Sequence, residues 1–133
     1  MIKANELRIG NWVDDPNDGR RKTVNIYQLG KSMFDDTKSC YIPIPLTPEI
    51  LEKVGFSECA DSNEYRVALP LGNGTDLVIE TLGCKKGPYD PLISESTADE
   101  IPKNYSYCKS ISYLHQLQNL YFALTGEELK IDL

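Results

Sequence analysis

Charged side chains are missing from one long stretch of this sequence. From Ser110 to Gly126 the chain contains no Asp, Glu, Lys or Arg, although 26% of all residues are charged. A helix at a protein surface normally carries charge on its solvent-facing side. The absence therefore indicates a helix that is covered on more than one side, either by the rest of the chain or by a partner.

Long hydrophobic runs are absent as well. No apolar stretch approaches the roughly 20 residues that a membrane-spanning helix needs. The first residues carry charges at Lys3, Glu6 and Arg8 and have no apolar core, so we expect no signal peptide. The sequence therefore predicts a cytoplasmic protein with no membrane partner.

Side chains that bind metals or act as nucleophiles are few and scattered. None of the four cysteines has the close spacing of a zinc site or a redox motif, so we expect reduced thiols, no metal and no cofactor. They are Cys40, Cys59, Cys84 and Cys108. Any hydrolase with a catalytic histidine would have to use His115, the single histidine, and such a residue on the polar side of a helix is usually a solvent-facing or hydrogen-bonding one. We therefore predict no catalytic residues and a non-enzymatic protein.

A short helix is the clearest local prediction. Thr47 is a preferred N-cap residue, and Pro48 suits the first helical position because its missing N–H would have no partner there. Gly55 supplies the left-handed residue that ends many helices. These signals agree on two turns of helix between Thr47 and Gly55.

Antiparallel strands are predicted around this helix. Apolar residues alternate on both sides of Gly72-Asn73-Gly74, which is typical of a hairpin, and the residues before Thr47 read as short strands. Residues 83–104 contain three prolines and no periodicity, so we expect a long, flexible loop. We therefore predict one α+β domain over residues 1–133: an N-terminal antiparallel sheet, a short helix, a β-hairpin and a C-terminal helix packed on the sheet.

The uncharged stretch predicts a C-terminal helix from about Ser112 to Thr125, ending at Gly126. Its apolar stripe contains Leu114, Leu117, Tyr121 and Leu124. Phe122 falls instead on the polar side, among His115, Gln116, Gln118 and Asn119. Two interpretations stay open: a core helix whose polar side lies under the long loop, or a subunit contact. In the second, Phe122, His115, Gln118 and Asn119 are the protein-interaction residues, since interface cores are depleted in charge.

A basic run offers an alternative function. If Trp12 pairs with the strand from Arg20 to Tyr27, then Arg20, Arg21, Lys22, Trp12 and Tyr27 could hold a nucleic-acid backbone and stack bases. The other interpretation is that the basic run neutralises the acidic turn before it and that Trp12 belongs to the core. The net charge of −6 disfavours nucleic acid.

Two blocks of sequence carry a resemblance to a known group. They are Ala4 to Val13, ANELRIGNWV, and Leu114 to Leu129, LHQLQNLYFALTGEEL, with Ile44 to Thr47 between them. The chain resembles a group of small proteins of Bacteroidetes bacteria and of their prophages and mobile elements, for which no activity is assigned. The resemblance implies a cytoplasmic accessory protein. Leu7 to Val13 also resembles the entry strand of small Src-homology-type barrels, which implies that the N-terminal strands close into such a barrel.

The leading hypothesis from the sequence is a protein-interaction module that self-associates through its C-terminal helix. Nucleic-acid binding by an accessory protein of a phage or mobile element is the alternative.

Overall fold

A computed structural model describes residues 2, 6–25, 41–58, 65–72, 74–81, 87–95 and 105–133. The chain forms two compact units. The terminal unit comprises Met1–Pro45 and Tyr113–Leu133, and the central unit comprises Leu46–Ser112. Whether they make up the single domain expected over residues 1–133 stays a prediction.

The terminal unit begins with a two-stranded antiparallel ladder of β1 (Trp12–Asp15) and β2 (Arg20–Thr23). The turn between them is closed by its own side chains: Asp15 Oδ1 accepts from the backbone N–H of Asn17 at 2.9 Å, and Asp18 Oδ1 accepts from that of Arg20 at 3.0 Å. Asp and Asn favour turns because their side chains bond the backbone two residues on. The turn formers seen in the sequence thus set the register of the ladder.

The C-terminal helix of the terminal unit, which we label α2, runs over Leu114–Thr125. Its N-terminus is supported by Gln116, whose Oε1 accepts from the backbone N–H of Tyr113 at 3.1 Å. Gly126 follows the helix with φ of +72°. A small apolar cluster of the same unit contains Ile2, Leu7, Val13 and Val24, with the Tyr41 ring packed against it.

The helix of the central unit, α1, runs over Pro48–Val54. Thr47 Oγ1 accepts from the Ile50 N–H at 3.3 Å, and Gly55 adopts φ of +112°. The Phe56 N–H then bonds to the Leu51 carbonyl at 3.1 Å, which is the Schellman arrangement for ending a helix. The predicted helix and both of its ends are confirmed.

Among the described residues of the central unit, five antiparallel strands form a sheet in the order β3-β4-β5-β6-β7. The predicted hairpin is its centre, because Val67 pairs with Ile79 and Leu69 with Leu77. The strand bounds are β3 (Ser57–Glu58), β4 (Tyr65–Pro70), β5 (Thr75–Thr81), β6 (Asp90–Glu95) and β7 (Tyr105–Tyr107).

The expected loop over residues 83–104 needs correction where β6 lies. Asp90–Glu95 is an inner strand between β5 and β7, and Pro91 is tolerated in it. The Pro91 carbonyl accepts from the Cys108 N–H at 2.8 Å, just after β7 ends. Because a strand residue presents its N–H and C=O to the same side, the missing N–H costs one bond at the end of that ladder. Residues 83–86 and 96–104 lie outside the described residues.

The α+β class is confirmed, with antiparallel sheets, a short helix and a C-terminal helix. The suggested barrel does not form in the described part of the chain, since β1 and β2 are four-residue strands in a separate two-stranded sheet and Ile42 adds only one bridge, to Asp14. No helix among the described residues is long and apolar enough to cross a membrane.

Candidate interaction site on the terminal unit

The Arg8 side chain joins the segment before β1 to the helix α2. Its Nε donates to Asn119 Oδ1 at 2.8 Å and its Nη2 to the Gln118 carbonyl at 3.1 Å. Its Nη1 donates to Glu128 Oε1 at 2.7 Å. The guanidinium also lies over the Phe122 ring, with Cζ 4.3 Å from the ring centroid. Arg8 is therefore fixed by four residues of the C-terminal part of the chain.

Asn119 uses both ends of its side-chain amide. Besides Arg8, its Oδ1 accepts from Asn11 Nδ2 at 2.9 Å, and its Nδ2 donates to the Glu6 carbonyl at 2.8 Å. Arg8, Asn11, Gln118, Asn119 and Glu128 form what we call the Arg8 network. Hydrogen bonds at this spacing fix a side chain in one orientation, so Asn119 holds residues 6–11 against α2.

Gln118 makes a matching pair of bonds at the start of β1. Its Oε1 accepts from the Trp12 N–H at 2.8 Å, and its Nε2 donates to the Gly10 carbonyl at 3.1 Å. The side chain is only 1% exposed. Burial of an amide costs free energy unless its groups are bonded, and here both are. The Gln118 amide thus bonds to the backbone of Gly10 and Trp12 as a residue of a neighbouring strand would, and so connects this segment to the helix.

His115 is buried on the same side of α2 but lacks such partners. It is 1% exposed, and neither ring nitrogen has a hydrogen-bond partner in the described structure. The ring stacks on Tyr113 at 6.0 Å between centroids, and Nε2 lies 3.9 Å from Glu6 Oε2. Burial lowers the pKa of His115, and the Glu6 carboxylate offsets this only in part.

No described residue is hydrogen-bonded to His115 as a catalytic partner would be. A general base needs a hydrogen-bonded nucleophile or acid partner, and the ring nitrogens bond to no described residue. Within the described residues, no group of three or more His, Cys, Asp or Glu could hold a metal ion.

The predicted interaction residues therefore lie in different environments. His115 and Gln118 are in the interior and Asn119 is half-buried, whereas Phe122 is 40% exposed. The amides that we placed around Phe122 bond to the chain's own N-terminal segment. The surface that a partner can reach is thereby reduced to Phe122 and its neighbours.

Large hydrophobic side chains exposed among the described residues all belong to the terminal unit. They are Ile9, Ile42 and Phe122, with exposed fractions of 50%, 46% and 40%. Ile9 follows directly after Arg8, and Ile42 lies beside Asp14 of β1.

The basic run of the alternative hypothesis is largely paired with acidic residues. Arg21 Nε lies 3.4 Å from Asp14 Oδ1, and the Lys22 ammonium forms an ion pair with the Asp15 carboxylate. The hydrogen bond from Lys22 lowers the pKa of Asp15, and the same bond raises the pKa of Lys22. Both pairs offset the positive charge of the run.

The remaining members of that hypothesis add little to it. Trp12 is half-buried and pairs with Thr23, while Arg20 is exposed. Tyr27 lies outside the described residues. Nucleic-acid binding stays a prediction.

Sequence reasoning did not identify Arg8, Asn11 or Glu128 as site residues. The side-chain bonds that join Arg8 to Glu128 and Asn11 to Asn119 span more than a hundred residues of the chain, and no local pattern reveals such a pairing. One signal was available, because all three lie within the two blocks, Ala4 to Val13 and Leu114 to Leu129, that carry the resemblance noted above.

Fold and site define an α+β protein whose N-terminal segment is bound by polar residues of its C-terminal helix. Comparison with known proteins finds no family model, no curated protein and no solved structure that matches the chain.

Proposed function

We propose that this chain is a non-enzymatic cytoplasmic accessory protein that binds other polypeptides and self-associates through the terminal unit. The observation that carries the proposal is the exposed Phe122 ring on an uncharged helix. Ile9 and Ile42 are also exposed on the terminal unit.

The setting of Phe122 resembles the centre of known protein interfaces. Aromatic residues and Arg are enriched there, and Lys, Glu and Asp are depleted. The Arg8 guanidinium already lies on the ring and is oriented by Asn119 and Glu128. Little side-chain entropy would be lost when a partner covers this pair, because the pair is already ordered.

Replacement of Phe122 by Glu tests the proposal. The apolar ring is lost and a charge enters the centre of the interface, so we expect self-association to weaken at least about tenfold. Sedimentation velocity or light scattering over a concentration series measures the change. Lys130→Gln is the matched control, since it makes the net charge more negative by the same one unit at an exposed position of the same unit and should leave association unchanged.

A chain that stays monomeric up to its highest soluble concentration, with the same profile for Phe122→Glu, contradicts self-association. Equal weakening by both variants would contradict a specific role for Phe122.

A further inference from the structure

A cleft lies in the central unit between α1 and the strands β3 and β4. Its volume of about 600 Å³ falls within the usual range for ligand sites. Pro48 and Tyr65, both half-buried, line its apolar part together with Phe56 and Val67, which are buried.

The charge of this cleft has one sign. The charged residues among its described lining are Glu52, at the end of α1, and Glu58, on β3. Both are exposed, and neither side chain pairs with a cation in the described part of the chain. Two carboxylates on separate elements thus face a shared space, and no cation of the described residues pairs with either of them.

The pKa of the Tyr65 hydroxyl is raised by burial and by the same negatively charged surroundings. Burial raises its pKa to about 12, the neighbouring Tyr89 hydroxyl adds to this rise, and so do the negative charges of Glu58, Glu49 and Glu52. A negative field beside aromatic rings favours a cation, because the face of a ring also attracts positive charge.

An extended chain can reach this cleft along the sheet edge. β3 is the first strand of the five, and its outer edge pairs with no described strand. The backbone groups of such an edge can bind a polypeptide segment while one of its side chains enters a neighbouring pocket. This favours a cationic side chain of a polypeptide over a free amine.

We propose that the cleft binds the lysine or arginine side chain of a partner polypeptide. The alkyl part of that side chain packs on the half-buried Pro48 and Tyr65, and its cationic end lies between Glu52 and Glu58. This site is separate from the surface around Phe122 and does not depend on self-association.

Titration with short peptides, followed by amide chemical shifts in NMR, tests the assignment. The probes are acetyl-Ala-Lys-Ala-amide, its arginine and norleucine counterparts, and n-butylammonium. We expect the two cationic peptides to shift the amides of Gly55, Ser57, Glu58 and Val67. The norleucine peptide, which has the alkyl chain without the charge, should bind at least about tenfold more weakly.

Charge-neutral variants locate the binding. Glu52→Gln/Glu58→Gln should weaken the cationic peptides about fivefold, since each partly exposed ion pair contributes less than a factor of ten. Glu127→Gln/Asp132→Asn removes the same two charges at exposed positions of the terminal unit and should have no effect. Phe122→Glu should have none either, which separates this site from the proposed self-association.

Four results would overturn the proposal. If the norleucine peptide binds as tightly as the lysine peptide, the cationic group is not what is recognised. If both double variants weaken binding equally, the peptides do not bind specifically in the cleft. Binding of n-butylammonium as tight as that of the peptides makes the site one for free amines. Absence of all shifts overturns it outright.

Discussion

Neutral amide side chains, and not charged ones, make the hydrogen bonds on the buried side of α2. Gln118 and Asn119 each satisfy donors and acceptors of the N-terminal segment, and a charged group in the same place would cost far more to bury. This explains why the stretch from Ser110 to Gly126 lacks charge on a polar face. His115 is the exception, because its two buried nitrogens bond to nothing in the described structure.

The lowered pKa of His115 makes stability depend on pH. Its folded pKa lies below the ordinary value of 6.5, so the unfolded chain binds the proton more readily. The contribution of this residue to the free energy of unfolding is therefore complete above pH 6.5 and decreases as the pH falls from 6.5 towards the folded pKa.

His115→Phe keeps a ring on Tyr113 and removes both nitrogens. We expect it to raise the free energy of unfolding by about 1 kcal/mol at pH 7.5, since buried groups without hydrogen bonds are costly. Its advantage over the wild type should increase as the pH is lowered to 5.5, as urea unfolding at both pH values would measure. Glu6→Gln removes a charge that raises the pKa of His115, so it should extend the loss of stability to lower pH. If the free energies of unfolding of the wild type and His115→Phe differ by the same amount at every pH, His115 is not a buried neutral ring with a lowered pKa.

At the scale of the elements, α1 was predictable and β6 was not. Everything that begins and ends α1 lies between Thr47 and Phe56, so the sequence specifies it locally. Strand β6 depends on pairing with β5 and β7, and Pro91 at its second position argues against an inner strand. Tertiary pairing outweighed that local signal.

Gly87 fixes the approach to β6. It adopts φ of +77°, and a Cβ there would lie 2.9 Å from the ring of Tyr89, which is fully buried. Gly87→Ala should therefore lower the free energy of unfolding by about 3 kcal/mol, through strain and overpacking together.

Gly72→Ala is the matched control. Its φ is +84° with no atom within 4 Å of the added Cβ, so only the strain of about 1 kcal/mol remains. Thermal or urea unfolding of the two variants gives the comparison. Equal losses would mean that the Tyr89 ring can move aside and that packing at Gly87 contributes nothing.

At the scale of the whole molecule, the chain forms two compact units, one made of a single segment of the sequence and the other of two. The central unit is continuous, whereas the terminal unit is made of two distant segments. The α+β class followed from local patterns. The Arg8 network did not, because it joins Arg8 to Asn119, which lie 111 residues apart in the sequence.

Each unit should respond to its own substitution. Asn119→Ala removes an acceptor for Arg8 and Asn11, so we expect a loss of about 2 kcal/mol and faster amide hydrogen exchange in Trp12–Asp15. Gly87→Ala should accelerate exchange in Thr75–Thr81 instead. Hydrogen-exchange mass spectrometry of both variants measures this. Loss of protection in both units with either variant would show that they unfold together.

Because the terminal unit is made of two distant segments, it cannot fold completely until both have been synthesised. A ribosome releases β1 and β2 before the central unit, and α2 after it. Segments generally fold as they emerge, but Arg8, Asn11 and the Trp12 N–H have no helix to bond until Gln118 and Asn119 leave the exit tunnel. The β1–β2 ladder of the nascent chain therefore stays without its helix partners through the synthesis of the central unit, and the terminal unit becomes native only after α2 has emerged.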